Sequence, residues 1–368
     1  MPSFCKKHLV FYTFGRCPKC LQAEVLARNY ALITNIDGRW GYLRAHPESL
    51  NQDQFGICGT SSCVYLLLRH KPAKAIDLFF ATFADIHPQF AGRVFTTAVG
   101  QVPVAIKFKY LARRYRLAEE KQILAAPVKG AAAQATAAAM PGVTAAAAAA
   151  WGAKVAAATL VHTDCFVDYC LSRALGYVLK KTAKNRYDGE KAAFNLEFDP
   201  GTFDYRNITH FGNLALRTNN LAFILNDILG AQNVHIVYKQ GGPAAGVALA
   251  PPTAGVHQTA FTTVAQLQAE FDNRLASPRS FAVAAVYGNL VKEGHVKVVS
   301  PGNVANPVLT YNHWIVINRM NLTPAGGEAG CPNSHADLRI WTWAKNYNTR
   351  VCSNHLLSYI QDVIFGDF

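Results

Sequence analysis

Cys58 stands near the end of the run Gln52-Asp53-Gln54-Phe55-Gly56-Ile57-Cys58-Gly59, which leads straight into the apolar stretch at residues 64–68. A thiol at a glycine-flanked turn just before a helix sits among unpaired backbone N–H groups and a partial positive charge, and both favour the thiolate. Far downstream, Asn312-His313-Trp314-Ile315-Val316-Ile317 reads as a strand that opens on a histidine. An imidazole there can supply a base, and the pair suggests a cysteine-nucleophile hydrolase. Cys63 is the nearest rival thiol. It falls well inside the expected helix, where it gains less from the helix start.

The first 30 residues carry a second pattern. Cys5-Lys6-Lys7-His8 is a C-x2-H pair and Cys17-Pro18-Lys19-Cys20 a C-x2-C pair. Two intervening residues let a tight turn aim both side chains at one ion, and four N/S ligands close a tetrahedral structural zinc site. Gly15 and Pro18 suit knuckle-type turns. His162, Asp164, Cys165, Asp168 and Cys170 also invite a metal reading. The continuing helix would scatter them around its axis, so they are read as ordinary burial.

Helices expected at residues 58–71, with Pro72 as a stop or restart, and at 75–86 would carry and support the thiol; another is expected at 107–121. Residues 123–160 are alanine-rich and break at Pro141-Gly142 into two helical pieces. Gly152 and Lys154 weaken any membrane-span reading of the second piece, because alanine is barely apolar on insertion terms. The second half reads as a helix at 207–229 capped by Gly230, a strand at 233–238 and a loop at 244–256. An amphipathic helix at 263–275 follows, then strands at 280–287, 295–299, 312–318 and 338–343, and a final helix at 353–364. A nucleophile helix followed by an antiparallel sheet that carries the base is an α+β pattern. The expected organisation is a zinc-knuckle segment at 1–30, the nucleophile-helix part at 31–122, an alanine-rich helical insertion at 123–200 and the sheet part at 201–368.

Composition excludes a disordered chain, since 51% of the residues are apolar. A formal net charge of +13, from 36 Lys+Arg against 23 Asp+Glu, favours anionic partners. Basic residues cluster at 107–116 and 180–186, yet no nucleic-acid-binding motif accompanies them. Nine cysteines, an odd number without the spacing of a secreted disulfide framework, fit reduced thiols and a cytosolic working compartment. No signal peptide is read at the N-terminus, which leaves a signal-independent route of secretion open.

Gln54-x-Gly56-x-Cys58-Gly59 before a helix, then Asn312-His313-Trp314-Ile315-Val316-Ile317, then the Trp-rich strand around Trp341 and Trp343, resembles the papain-like cysteine hydrolase superfamily. It is most similar to divergent members among bacterial secreted toxins and effectors. The resemblance covers residues 51–69 and 311–344. It implies a papain-like fold, with the nucleophile helix packed on an antiparallel sheet, and the order Cys, His, Asp/Asn. Gln52 or Gln54 would then help form the oxyanion hole. The third residue would be Asp337, with Asn333 and Asn346 as rivals. The long separation between Cys58 and His313 implies a large insertion, for which the alanine-rich region is the candidate.

Three functions follow. The first is a cysteine hydrolase that cleaves or deamidates a protein or peptide. The second is a peptidoglycan amidase with the same Cys58–His313–Asp337 triad. The third is a non-catalytic, zinc-containing interaction module. An effector would be delivered without a signal peptide, act in a reducing cytosol and be matched by a neutralising (immunity) protein. That last expectation rests on family analogy alone.

Overall fold

The computed structural model describes residues 3–5, 10–12, 35–51, 57–104, 108–159, 165–182, 218–240, 255–286, 290, 313–324, 334–342 and 344–368. These fall into two compact units, residues 1–45 with 111–167 and residues 46–110 with 168–368. The alanine-rich hairpin therefore groups with the N-terminal segment, and the helix that follows it lies mostly in the larger unit. The expected boundaries were 123–200 for an insertion.

In the first unit a short antiparallel hairpin pairs β1 (Ser3–Cys5) with β2 (Val10–Tyr12). Helix α1 (Ile36–Ala45) buries Ile36, Trp40 and Leu43. The helices expected at 107–121 and in the first alanine-rich piece merge into one, and most of it lies in this unit. Helix α4 runs Phe108–Ala138 through Pro127, and α5 (Ala145–Thr159) follows the break at Pro141-Gly142. Gly130 and Gly152 set their spacing. A Cβ on Gly152 would lie 2.7 Å from the Gly130 carbonyl oxygen, and one on Gly130 would lie 2.9 Å from that of Gly152. The backbones touch where side chains are absent. Among the described residues, no helix is long and apolar enough to cross a membrane.

The second unit is built on a seven-stranded sheet. Helices α2 (Cys58–His70) and α3 (Pro72–Thr82) come first, then the two-stranded hairpin of β3 (Phe95–Thr97) and β4 (Gly100–Val102). Helix α6 (Phe166–Thr182) spans the boundary between the units, and α7 (Thr218–Phe223) continues through a π-turn at Ile224–Ile228. The sheet strands are β5 (Gln232–Lys239), β6 (His257–Phe261), β7 (Ser280–Val286), β8 (His313–Pro324), β9 (Ser334–Thr342), β10 (Lys345–Cys352) and β11 (Ile360–Asp367). Helix α8 (Val264–Arg274) precedes β7, and α9 (Ser353–Tyr359) precedes β11. The strand order is β10-β9-β8-β7-β11-β5-β6, antiparallel throughout except for the parallel β5–β6 pair.

Helix α8 begins with a full capping box, in which Thr263 and Gln266 exchange side-chain and backbone hydrogen bonds. It packs Leu267 and Phe271 into a core with Leu356 and Tyr359 of α9, Ile315 and Ile317 of β8, and Val363 and Phe365 of β11. The opposite face of the sheet receives α2. Tyr65 stacks on Trp341 with centroids 4.0 Å apart, and Arg69 bonds Asn318. The Trp341 indole N–H donates to the Glu48 carbonyl at 2.8 Å, which satisfies its one polar group.

The α+β reading holds as a helix-flanked, mixed sheet. The helix expected at 353–364 stops at Tyr359, and residues 360–367 form β11, buried between β7 and β5. The strand expected at 295–299, and most of the loop at 244–256, lie outside the described residues.

Candidate active site

Cys58 is the first residue of α2 and is only 7% exposed. Ile57 precedes it and offers no side-chain cap, so the helix start has backbone donors to spare. The thiol takes up that role. It lies against its own backbone N–H, that of Gly59 and that of Trp314. All three lower its pKa, yet burial outweighs them and holds the thiol above its ordinary value. Cys63, one and a half turns further on, is fully buried and raised by burial alone. It has none of these backbone donors, which fits a packing role.

The Trp314 N–H ties the nucleophile helix to the first peptide of β8, where His313 stands. Along β8, Trp314, Val316 and Asn318 alternate toward α2, whereas His313 alternates with Ile315 and Ile317. The sulfur thus meets the main chain at the start of the strand. The His313 ring is buried, and its Nε2 lies 2.8 Å from Oγ1 of Thr342 at the end of β9.

Asp337 lies elsewhere. In the β8–β9 ladder it stands opposite Asn321, eight positions along β8 from His313, or about 26 Å at ~3.3 Å per residue. Arg350 holds its carboxylate at 2.6 Å and Thr323 donates to it at 2.8 Å. These hydrogen bonds keep its pKa below the usual carboxylate value. The assignment of Asp337 as the group that orients His313 is corrected by this register, and Thr342 is one hydrogen-bond partner of the His313 ring. The rival Asn346 is exposed on β10, opposite Trp341. Asn333, Gln52 and Gln54 lie outside the described residues. No signal in the sequence singles out Thr342, since a threonine beside tryptophans reads as an ordinary strand former.

Of the four zinc candidates, Cys5 ends β1, paired with Val10 across the hairpin. His8, Cys17 and Cys20 lie outside the described residues. Among the described residues, no group of three or more His, Cys, Asp or Glu is placed to hold a metal ion. Cys165 and Cys170 are buried free thiols, in line with the burial reading. Cys352 departs from the expectation of reduced cysteines. It is disulfide-bonded, to a cysteine whose side chain lies outside the described residues. No protein-family model matches the chain, and no curated protein or solved structure does either.

Proposed function

We propose that the chain is a papain-like cysteine hydrolase acting on an amide bond of a protein or peptide. The observation that carries this reading is the Cys58 thiol at the start of α2, held against the first peptide of the strand that His313 opens. In the proposed reaction the imidazole of His313 is the base that takes the thiol proton. The sulfur attacks the carbonyl carbon, and the tetrahedral intermediate collapses to a thioester as the imidazolium gives its proton to the leaving amine. Water, deprotonated by the same ring, then hydrolyses the thioester and frees the thiol. Nε2 of His313 lies 2.8 Å from the Thr342 hydroxyl, which can accept from an Nε2–H; that tautomer carries the ring's lone pair on Nδ1. The N–H groups of Cys58 and Gly59, with Gln52 or Gln54, are the candidate oxyanion donors.

The donor set Cys5, His8, Cys17 and Cys20, three thiolates and an imidazole, suits structural zinc, and the first of them ends β1 of the hairpin. Secretion without a signal peptide and a neutralising partner protein belong to the effector version of this reading.

A second reading, peptidoglycan amidase chemistry, is favoured by the disulfide at Cys352, because such bonds persist in oxidising compartments such as the cell envelope. One experiment separates the readings. The purified chain is incubated with peptide amides and with peptidoglycan fragments, as wild type, Cys58→Ala and His313→Ala. Hydrolysis of one substrate that both substitutions abolish supports the corresponding reading. Turnover that survives Cys58→Ala rules both out.

A further inference from the structure

We infer that the C-terminal end of α2 holds a binding site for a small carboxylate with an apolar chain, separate from the Cys58 site. A cavity of about 280 Å³ opens there between α2, the turn at residues 275–278, the start of β7 and the middle of β8. It is just below the ~300–1,000 Å³ common for small-molecule sites, so its ligand is small. Arg69 and Cys58 lie eleven residues apart on one helix, about 17 Å at 1.5 Å per residue.

The lining has two characters. Leu66, Phe281, Val316 and Pro278 are apolar, and Arg69, His70 and Asn318 supply the polar groups. No acidic side chain lines the cavity among the described residues. Arg69 makes both of its hydrogen bonds through one nitrogen, Nη1, to Asn318 Oδ1 at 2.5 Å and to Tyr65 Oη at 3.3 Å. Nη2 and Nε have no hydrogen-bond partner among the described residues, and no carboxylate there pairs with the guanidinium. A cation on an apolar wall, with its bidentate edge unused, matches a carboxylate whose chain lies along the wall. Asn318, its oxygen already engaged by Arg69, offers its NH2 as a further donor. Burial, with Arg69 next to it, pushes the His70 imidazole down to about 4. It is therefore neutral near pH 7 and adds a hydrogen-bonding edge instead of a second charge.

The test is saturation-transfer NMR on the full chain with hexanoate, hexylamine and inorganic phosphate as probes. Hexanoate is expected to bind saturably, and hexylamine and phosphate to bind far more weakly. Arg69→Gln is expected to raise the hexanoate Kd at least about tenfold, as expected for a lost charge-assisted hydrogen bond. Ala276→Trp fills the mouth of the cavity, leaves the guanidinium in place and is expected to abolish binding; it decides alone if Arg69→Gln does not fold. Cys58→Ala is expected to bind as wild type does, so the result is independent of the hydrolase reading. Absence of saturable hexanoate binding, equal binding of hexylamine or phosphate, or retention of binding by either cavity variant overturns the inference.

Discussion

Nε2 of His313 and Oγ1 of Thr342 lie 2.8 Å apart on adjacent strands, both side chains buried. Under the proposed hydrolase reading, this hydroxyl would stand where triads carry a carboxylate or amide, without adding charge. Thr342→Val keeps the shape and removes the hydroxyl. It is expected to cost about 1–3 kcal/mol, the usual penalty for leaving a buried polar group without its partner. Thr342→Ser is expected to stay near wild type. Urea denaturation measures the cost, and ¹⁵N shifts of the imidazole report whether the Nε2–H tautomer is lost in the valine variant and kept in the serine one.

Burial raises the Cys58 thiol, so alone it would be alkylated slowly near pH 7. Proton removal by His313, under the proposed hydrolase reading, would change that. Iodoacetamide is expected to label Cys58 at neutral pH at least about tenfold faster in wild type than in His313→Ala, whose profile shifts to alkaline pH. Cys63 is expected to stay unlabelled. Equal rates in the two proteins would defeat the dyad. Asp337→Asn serves as the control. It is expected to leave labelling unchanged and to cost under ~1 kcal/mol, because the Asp337–Arg350 pair is partly exposed.

Asp362 is buried in β11, where Thr218 donates to its carboxylate, and burial pushes its pKa up to about 6. Raised above the unfolded value near 4, it contributes stability that is present below about pH 4 and lost as pH rises through 6. The loss is on the order of 3 kcal/mol. Asp362→Asn removes the titration, so the variant's stability is expected to stay nearly flat across that window while the wild type declines. Parallel urea midpoints between pH 4 and 7 would show that the group does not titrate as described.

The backbones of α4 and α5 meet at Gly130 and Gly152. Gly152→Ala places a methyl group within 2.8 Å of both the Gly130 carbonyl oxygen and the Gln134 Cβ. Despite the better helix propensity of alanine, the hairpin is expected to lose about 1–3 kcal/mol. Ala157→Gly, a mild change at an exposed position of α5, is expected to cost only the propensity difference, roughly 1 kcal/mol. Circular dichroism melts of the two variants distinguish crowding at the crossing from a general effect on the helix.

The helix start at Cys58 and the strand start at His313 are legible because local chemistry marks both. Glycines flank the thiol before an apolar helical run, and β-branched residues follow the histidine. Asp337 was misplaced because a register is a property of two strands. Strand β8 runs on to Pro324 and its ladder with β9 slips by a residue between Ile317 and Arg319, and neither feature can be read before the strands are paired. Strand β11 was missed for a related reason. Val363, Ile364 and Phe365 are buried on both faces, so they show no alternation, and a short apolar run after a helix reads as more helix.

The position of β11 sets an order of events. Among the described residues it is the only hydrogen-bonded link between the β5–β6 pair and the β7–β10 ladder, and it follows all of them in the chain. As synthesis proceeds, residues 232–352 can leave the ribosome as two unjoined half-sheets whose inner edges stay open until 360–367 emerge. The strand that carries His313 therefore has no completed sheet beneath it until then. A chain cut short of β11 would expose two unpaired sheet edges, so the topology couples completion of the sheet to the emergence of residues 360–367.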